Sequence, residues 1–374
     1  MKRRSRKTLG SVWQKAMTSM TRTALRSGAK TFRQALASVP KVQAAARPKV
    51  IRAKRRRSTS ASVKRANTAS LAKTRRKAST RAASREIGWS AGVAIAPAGV
   101  RRFHLYKPPG TRRGERLPLL VMLHGCGQDG AALAESSRMN RLAKSERFLV
   151  LYPEQDRLAN GQGCWNWFDT RNGRAQREAA IIHAAIEQVC IAQPVDRTRI
   201  AIAGLSAGAG MAALLATLRP DRFCAVAMHS GIAPGLAHSS ATALSAMRGR
   251  RKSMLPLPSA DSVFGWPPLL VIQGTADRVV DLENGAEAVR LWAAHGQART
   301  APSRVVQRGT RRAATLTDYR AGSRLIARLC IVKGLGHAWS GGAAGVAYSD
   351  PAGPDASRMI WRFIASRFAR ADAL

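Results

Sequence analysis

The first 85 residues contain no aspartate or glutamate, although they carry 26 of the chain's 63 lysines and arginines. The remaining 37 basic residues face all 21 acidic ones in residues 86–374, so this part has a net charge of +16. The 374-residue chain therefore divides into a polycationic arm, residues 1–85, and a moderately basic globular part, residues 86–374. Because the arm is poor in apolar side chains, we expect much of it to be disordered in isolation.

Long apolar runs are also absent from the sequence. No stretch approaches the roughly 18 apolar residues of a membrane-spanning helix, so we predict no transmembrane segment. A secretory signal peptide needs an apolar core of about 7–15 residues after its first charges. Basic residues interrupt Met1 to Val39 throughout, so we recognise no signal peptide there. Five scattered cysteines are too few for a disulfide scaffold, and their number does not settle the redox compartment.

The arm itself has two segments. Apolar residues recur every three to four positions within 9–39, with basic residues between them, which predicts a basic amphipathic helix. Residues 40–85 are rich in Lys, Arg, Ala, Ser and Thr and indicate a linker. So dense a positive charge predicts contact with an anionic surface, a polymer granule or a nucleic acid. Trp13 and Phe32 are its aromatic residues, few for base stacking, so a lipid or granule surface fits better.

Beyond residue 99, short apolar strands alternate with helices, which predicts an α/β fold with a mostly parallel sheet covered by helices on both faces. Strands are predicted at residues 100–106, 117–123, 148–152, 199–203 and 269–272, with two more within 311–333. The first of these is expected at the sheet edge. Helices are predicted at residues 131–145, 177–190, 209–218, 283–294 and 356–368.

Gly204-Leu205-Ser206-Ala207-Gly208 fits the Gly-x-Ser-x-Gly pattern of a nucleophile elbow, between a predicted strand and a predicted helix. A serine hydroxyl needs a base oriented by an acid, and in α/β-hydrolases these follow in the order acid, then histidine. His337 follows a strand-like run and is the predicted base, in preference to His295 near a helix end. Asp277 follows the strand ending at Ile272 and is the predicted acid; Asp281 is the rival, although it can equally cap the next helix.

The oxyanion of a tetrahedral intermediate needs preformed N–H donors. We predict that one is the backbone N–H of Ala207, directly after the nucleophile. The second is predicted to come from Cys126, in the glycine-rich turn His124–Gln128 that follows the first buried strand.

Several segments together resemble the poly(3-hydroxybutyrate) depolymerase family of esterases. They are Leu-His-Gly-Cys-Gly-Gln (123–128), Tyr-Pro-Glu-Gln (152–155), Cys-Trp-Asn-Trp-Phe-Asp (164–169), Gly-Leu-Ser-Ala-Gly (204–208), Met-His-Ser-Gly (228–231), Gly-His-Ala-Trp-Ser-Gly-Gly (336–342) and Asp-Pro-Ala-Gly-Pro-Asp-Ala-Ser (350–357). The resemblance implies an α/β-hydrolase fold, the triad Ser206, Asp277 and His337, and no cofactor or metal. It implies hydrolysis of short-chain polyhydroxyalkanoates, with feruloyl or acetylxylan esters as the alternative.

The family resemblance also implies an extracellular enzyme, whereas the cationic front end leaves a cytoplasmic enzyme on polymer granules as the alternative. A third hypothesis, from another class, is a polyanion- or surface-binding protein whose hydrolase domain is secondary.

Trp339, Trp165 and His229 are candidates for binding the substrate, and core packing is the alternative for the tryptophan Trp165. Cys126 and Cys164 lie in shared segments and either form a disulfide or remain two free buried thiols.

Overall fold

The computed structural model describes residues 88–255 and 265–371. The predicted arm, with its amphipathic helix at 9–39, lies outside the described residues, so the division at residue 85 stays a prediction. Within the described ranges, no helix is both long and apolar enough to cross a membrane.

The strands of the described residues are β1 (Trp89–Ala96), β2 (Gly99–Tyr106), β3 (Leu117–Leu123), β4 (Leu149–Pro153), β5 (Val195–Leu205), β6 (Ala225–His229), β7 (Leu269–Gly274), β8 (Arg299–Thr300), β9 (Arg304–Val306), β10 (Ala314–Ala321), β11 (Arg324–Val332), β12 (Trp339–Ser340) and β13 (Ser349–Asp350). Most of them form one 11-stranded sheet with the order β1-β2-β4-β3-β5-β6-β7-β11-β10-β8, and β9 pairs with β10. The two short strands β12 and β13 pair separately.

The centre of this sheet, from β4 through β3, β5, β6 and β7 to β11, is parallel, and its two sides are antiparallel. Every residue of β3 is buried, because the strand is covered on both faces. Leu119, Val121 and Leu123 belong to the apolar core on one face. Leu120 and Met122 belong to the core on the other face.

The helices of the described residues are α1 (Gly130–Ser137), α2 (Met139–Glu146), α3 (Arg174–Ala192), α4 (Ala207–Leu218), α5 (Ser240–Met247), α6 (Glu283–His295) and α7 (Ala356–Ala371), with a 3-10 turn at Pro220–Arg222. Helices α3, α4, α5 and α6 contribute to the first of these cores, and α1, α2 and α7 contribute to the second. This three-layer arrangement is the predicted α/β-hydrolase architecture. Parallel strands place their carboxyl ends at one edge of the sheet, where ligands bind in such folds.

Two expectations about elements are wrong. The strand predicted at the sheet edge, 100–106, is the second strand, because β1 pairs with it along its whole length and forms the edge itself. The single helix predicted at 131–145 is two helices, because Arg138 adopts a left-handed conformation with φ of 56°. The backbone N–H of Arg138 caps the carbonyls of Ala134 and Glu135, which ends α1 and turns the chain into α2.

Candidate active site

Ser206 lies at the sharp turn between β5 and α4. Its φ of 57° and ψ of −119° are strained for an L-residue, and its N–H donates to the carbonyl of His229 at 2.9 Å. The flanking glycines permit this turn. A Cβ on Gly208 would lie 2.1 Å from the carbonyl oxygen of Leu123, and a Cβ on Gly204 would lie 2.4 Å from the backbone of Gly208. Only glycine fits at either position, which explains the spacing around the serine.

His337 and Asp277 lie on loops that follow β11 and β7, two neighbouring parallel strands. The Nδ1–H of His337 donates to Oδ2 of Asp277 at 2.8 Å. The Asp277 side chain is completely buried. Its other oxygen, Oδ1, accepts the backbone N–H groups of Val279 and Val280, each at 2.9 Å. The carboxylate is thereby held in one orientation, and it fixes the histidine tautomer with the proton on Nδ1.

The environment of Asp277 keeps its carboxyl ionised. Burial raises the pKa of this group, but the hydrogen bond and charge of His337 and the N–H groups of Val280 and Val279 outweigh that effect. The pKa therefore lies below its usual value. Gln273 adds a weaker contact, since its Nε2 lies 3.4 Å from Oδ2 and donates to the Val280 carbonyl at 2.9 Å.

Ser206 and His337 line the same cavity, whose volume is about 160 Å³. No Asp, Glu, Lys or Arg of the described chain contributes to its lining, and most of its surface is apolar. The lining residues are Gly125, Cys126, Gln128, Leu205, Ser206, Val279, His337, Ala338, Tyr348 and Ser349. The cavity suits an uncharged ligand beside a hydroxyl and an imidazole.

The turn after β3 approaches the serine closely, because a Cβ on Gly125 would lie only 3.6 Å from the Cβ of Ser206. Cys126, the next residue, lines the cavity. Its backbone N–H has no hydrogen-bond partner within the described ranges. Ala207 is the first residue of α4, and N–H groups in the first turn of a helix have no acceptor within the helix. The structure thus places both predicted donors next to Ser206.

His124 holds the turn after β3 in place through two hydrogen bonds of its ring. Its Nε2 accepts the N–H of Gln155 at 3.0 Å, so the ring proton is on Nδ1, which donates to the Gly125 carbonyl at 2.9 Å. Burial lowers the pKa of His124, which keeps the ring neutral.

The structure contains a disulfide between Cys126 and Cys164, so the first of the two predicted alternatives is confirmed. The bond joins the turn after β3 to the segment that precedes α3. That segment is fixed in turn by Asn166, whose backbone N–H and side-chain amide both donate to the buried carboxylate of Glu178, at 2.8 and 2.6 Å. The turn beside Ser206 is therefore covalently attached to a well-anchored loop.

The three residues predicted to bind substrate lie away from the cavity in the described structure. Trp339, Trp165 and His229 are all fully buried, and none of them lines the cavity. The Nε1–H of Trp339 donates to Ser357 at 3.1 Å, and Trp165 packs near His124, with ring centres 5.4 Å apart. A fully buried indole offers no face to a ligand, so these side chains belong to the core.

His229 instead connects the end of β6 to the loop that carries His337. Its Nε2 accepts the N–H of Ser340 at 3.1 Å, its Nδ1 lies 3.1 Å from the Ser230 hydroxyl, and its ring stacks on Trp339. Burial, reinforced by the nearby charge of His337, lowers the pKa of His229 to about 3. The ring is therefore neutral over the physiological pH range.

The two alternatives considered for the triad, Asp281 as the acid and His295 as the base, make other contacts in the structure. Asp281 accepts the backbone N–H of Glu283, the first residue of α6, at 2.9 Å. His295 is the last residue of α6 and lies against Trp266. Seven of the ten residues that line the described cavity were not anticipated as ligand contacts. Four of them lie in the motifs quoted from the sequence, namely Gly125, Gln128, Leu205 and Ala338, whereas Val279, Tyr348 and Ser349 had no such signal.

Two curated esterases are similar in sequence to parts of this chain. Poly(3-hydroxyalkanoate) depolymerase C of Paucimonas lemoignei is 37% identical over 115 residues, which are 30% of this chain and only 28% of that protein. Feruloyl esterase B of Neurospora crassa is 25% identical over 205 residues, covering 51% of this chain and 68% of that enzyme. The chain thus spans less than a third of the length of the first relative.

The solved structure of an acetyl xylan esterase from Aspergillus awamori has the same fold. It superposes with a TM-score of 0.51 at 19% identity, over 66% of this chain and 94% of that one. A family model described as esterase PHB depolymerase matches residues 101–313. That match covers more than half of the 374 residues. The chain therefore belongs to the PHB depolymerase family of esterases.

Proposed function

We propose that the protein is a serine esterase that cleaves carboxylic ester bonds through an acyl-enzyme on Ser206. The observation that carries the proposal is that Ser206 and His337 line one cavity while Asp277 is hydrogen-bonded to His337. The strained Ser206 faces the cavity with His337, and His337 is held by the buried, ionised Asp277 at 2.8 Å. Membership of an esterase family supports the same reaction.

In the proposed mechanism, His337 takes the proton of the Ser206 hydroxyl as its oxygen attacks the ester carbonyl carbon. Asp277 stabilises the imidazolium that forms. The backbone N–H groups of Ala207 and Cys126 bind the resulting oxyanion. The tetrahedral intermediate then expels the alcohol, which receives its proton from His337. A water molecule releases the acid by the same steps in reverse order, with His337 again acting as the base.

The volume of the cavity limits the size of the acyl group that the enzyme can bind. Its volume of about 160 Å³ is close to that of the roughly 150 Å³ apolar cavity that binds benzene, so a short acyl group fits within it. We propose short-chain polyhydroxyalkanoates such as poly(3-hydroxybutyrate), or their oligomers, as substrates. The 37% identical depolymerase segment supports this choice. A feruloyl or acetylxylan ester is the second candidate, supported by the relative of which the chain spans 68%.

We propose an extracellular location for the enzyme. Disulfides persist in oxidising compartments, and Cys126–Cys164 lies against the catalytic serine. On granules in a reducing cytoplasm the same pair would be exposed to reduction, which is the competing expectation. Mass spectrometry of the protein from culture medium and from cell lysate, alkylated before digestion, distinguishes the two locations.

A substrate panel tests the proposed function: p-nitrophenyl acetate and butyrate, amorphous poly(3-hydroxybutyrate) and methyl ferulate, with Ser206→Ala as the blank. We expect cleavage of the short esters and the polymer. The Ser206→Ala variant should lose on the order of 10⁴–10⁶-fold in kcat while keeping its fold. Preferential cleavage of methyl ferulate would select the second candidate. A Ser206→Ala variant with more than about a tenth of wild-type turnover would overturn the nucleophile assignment.

A further inference from the structure

Gln128 lies in the turn that approaches the nucleophile, and it is almost completely buried, with 6% of its surface exposed. Its amide is oriented by the backbone of the same turn, because the N–H of Gly125 donates to Oε1 at 3.1 Å. A backbone N–H must face an acceptor, so this contact assigns the oxygen and leaves Nε2 on the other side of the amide. Within residues 88–255 and 265–371, that buried Nε2 has no hydrogen-bond partner.

A buried amide donor without an acceptor destabilises a protein, because the group has lost its hydrogen bonds to water without gaining others. Such a group is expected to have a partner that the isolated chain lacks. Gln128 lines the cavity together with Ser206 and His337, so an oxygen of a ligand bound there is the candidate acceptor for this amide. No carboxylate side chain contributes to the described lining, so the chain provides no competing anion there.

The position of the amide indicates which ligand oxygen it meets. The Cβ position of Gly125 is 3.2 Å from Oε1 of Gln128 and 3.6 Å from the Cβ of Ser206, so the amide and the nucleophile border the same residue. Cys126, whose N–H is a proposed oxyanion donor, is the next residue in the chain. The amide is therefore beside the place where the carbonyl oxygen of a substrate acquires its negative charge.

We infer that Gln128 is a catalytic residue that supplies a third, side-chain donor to the oxyanion, next to the backbone N–H groups of Cys126 and Ala207. This inference rests on the proposed function. A hydrogen bond to an oxyanion is stronger than one to a neutral carbonyl, so the donor stabilises the transition state more than the bound ester. The bond from Gly125 holds the amide in place beforehand, so little reorganisation accompanies the reaction.

Two substitutions distinguish the two tasks of the Gln128 side chain, which are hydrogen-bond donation to the oxyanion and support of the turn after β3. Gln128→Glu retains an oxygen that can accept the Gly125 N–H, but it removes the donor and places a negative charge beside the oxyanion. Gln128→Met removes both hydrogen-bonding groups. The matched control is Gln162→Glu, which makes the same change of charge nearby. The carbonyl of Gln162 bonds to Gly127 of the same turn at 3.1 Å, while its side chain does not line the cavity.

The measurements are pre-steady-state acylation and deacylation rates on p-nitrophenyl butyrate, with thermal melting as the check on folding. We expect both rates to fall on the order of 10²-fold in Gln128→Glu, with KM nearly unchanged, because both steps pass through an oxyanion. Gln128→Met should also lose both rates, and Gln162→Glu should stay within about twofold of the wild type.

Rates within about threefold of wild type in a folded Gln128→Glu variant would overturn the inference. A lower burst amplitude with normal rates would also overturn it, since that result reports misfolded sites. So would a loss confined to 3-hydroxyacyl esters, which would place the amide against the acyl chain. Failure of the proposed function is distinct from these outcomes, because the wild-type enzyme would then show no acyl-enzyme burst at all.

Discussion

Asp277 and Asp281 are four residues apart, yet their carboxylates have different tasks. Asp277 is buried against the imidazole of His337, whereas Asp281 is exposed and accepts the N–H of Glu283. Asp277→Asn should lower kcat on the order of 10⁴-fold, because an amide no longer favours the proton on Nδ1 or stabilises the imidazolium. Steady-state kinetics on p-nitrophenyl butyrate near neutral pH measure this loss.

Asp281→Asn is the control for this prediction. Like Asp277→Asn, it replaces one carboxylate oxygen with an amide NH2 group. It should leave kcat within about threefold of wild type, because Asp281 contacts Glu283 and not His337. Equal losses in the two variants would show that the acid has been assigned to the wrong residue.

At this scale, the sequence predicted the residues whose chemistry depends on local spacing. Ser206, Asp277 and His337 each follow a strand in a recognisable pattern, and the structure brings the last two into contact at 2.8 Å. The sequence did not separate core from cleft for Trp339 and Trp165, because an indole serves equally in either place, and both are fully buried. The difference lies in distant partners, such as Ser357, which receives the Trp339 N–H.

At the scale of elements, the contact between α4 and β3 is the tightest constraint on the nucleophile elbow. Gly208 is the second residue of α4, and a Cβ there would lie 2.1 and 2.5 Å from the carbonyl oxygens of Leu123 and His124. These are backbone atoms, which cannot rotate away as a side chain can. Gly208→Ala should therefore lower the free energy of unfolding by about 3 kcal/mol or more, with loss of activity.

Gly161→Ala is the matched control, since no atom lies within 4 Å of the Cβ that it would add. Urea denaturation of both variants measures the difference. A Gly208→Ala protein as stable as Gly161→Ala would mean that α4 and β3 are farther apart than the structure shows.

His229 joins two elements, β6 and β12, through the N–H of Ser340, and its burial makes that connection sensitive to acid. Its folded-state pKa is about 3, below the ordinary 6.5. Between pH 6.5 and 3, His229 is mostly protonated in the unfolded chain and mostly neutral in the folded chain. Stability contributed by neutral His229 is thus complete above pH 6.5 and is lost as pH falls towards 3, by on the order of 1 kcal/mol per pH unit.

His229→Gln tests this linkage, because a glutamine amide offers an oxygen to Ser340 and does not titrate. Urea midpoints should fall less steeply between pH 7 and 4.5 in the variant than in the wild type. Buried His124 is present in both proteins and contributes an equal slope to each. Parallel pH profiles would show that His229 is protonated, or solvated, in the folded state.

Elements with a clear apolar run or a clear apolar periodicity were predictable, and those with neither were not. The all-buried strand β3 was placed at its observed bounds, Leu117–Leu123. Strand β1 was missed because Trp89–Ala96 is rich in small residues and half exposed, so it lacks a clear alternation. The break between α1 and α2 was missed because it depends on Arg138, a non-glycine residue in a left-handed conformation.

At the scale of the whole molecule, the two regions of the chain differ in what their composition can support. Every residue of the described cavity, the His337–Asp277 pair and the turn after β3 lies beyond residue 123. The net charge of +42 is carried disproportionately by residues 1–85, which contribute 26 basic residues and no acidic one. Chemistry and charge are therefore separated along the chain, which predicts that they can also be separated by truncation.

Deletion of residues 1–85 should leave kcat/KM for p-nitrophenyl butyrate within a few-fold of the full-length value. The same deletion should weaken binding to vesicles of anionic phospholipid, to polymer granules or to nucleic acid. Binding by the full chain should fall steeply with added salt, because a polycation releases counterions when it binds. Binding that survives high salt would indicate that the apolar stripe of residues 9–39 inserts into the surface. A folded, truncated enzyme that has lost activity on the small ester would contradict this division, since the arm would then belong to the active site.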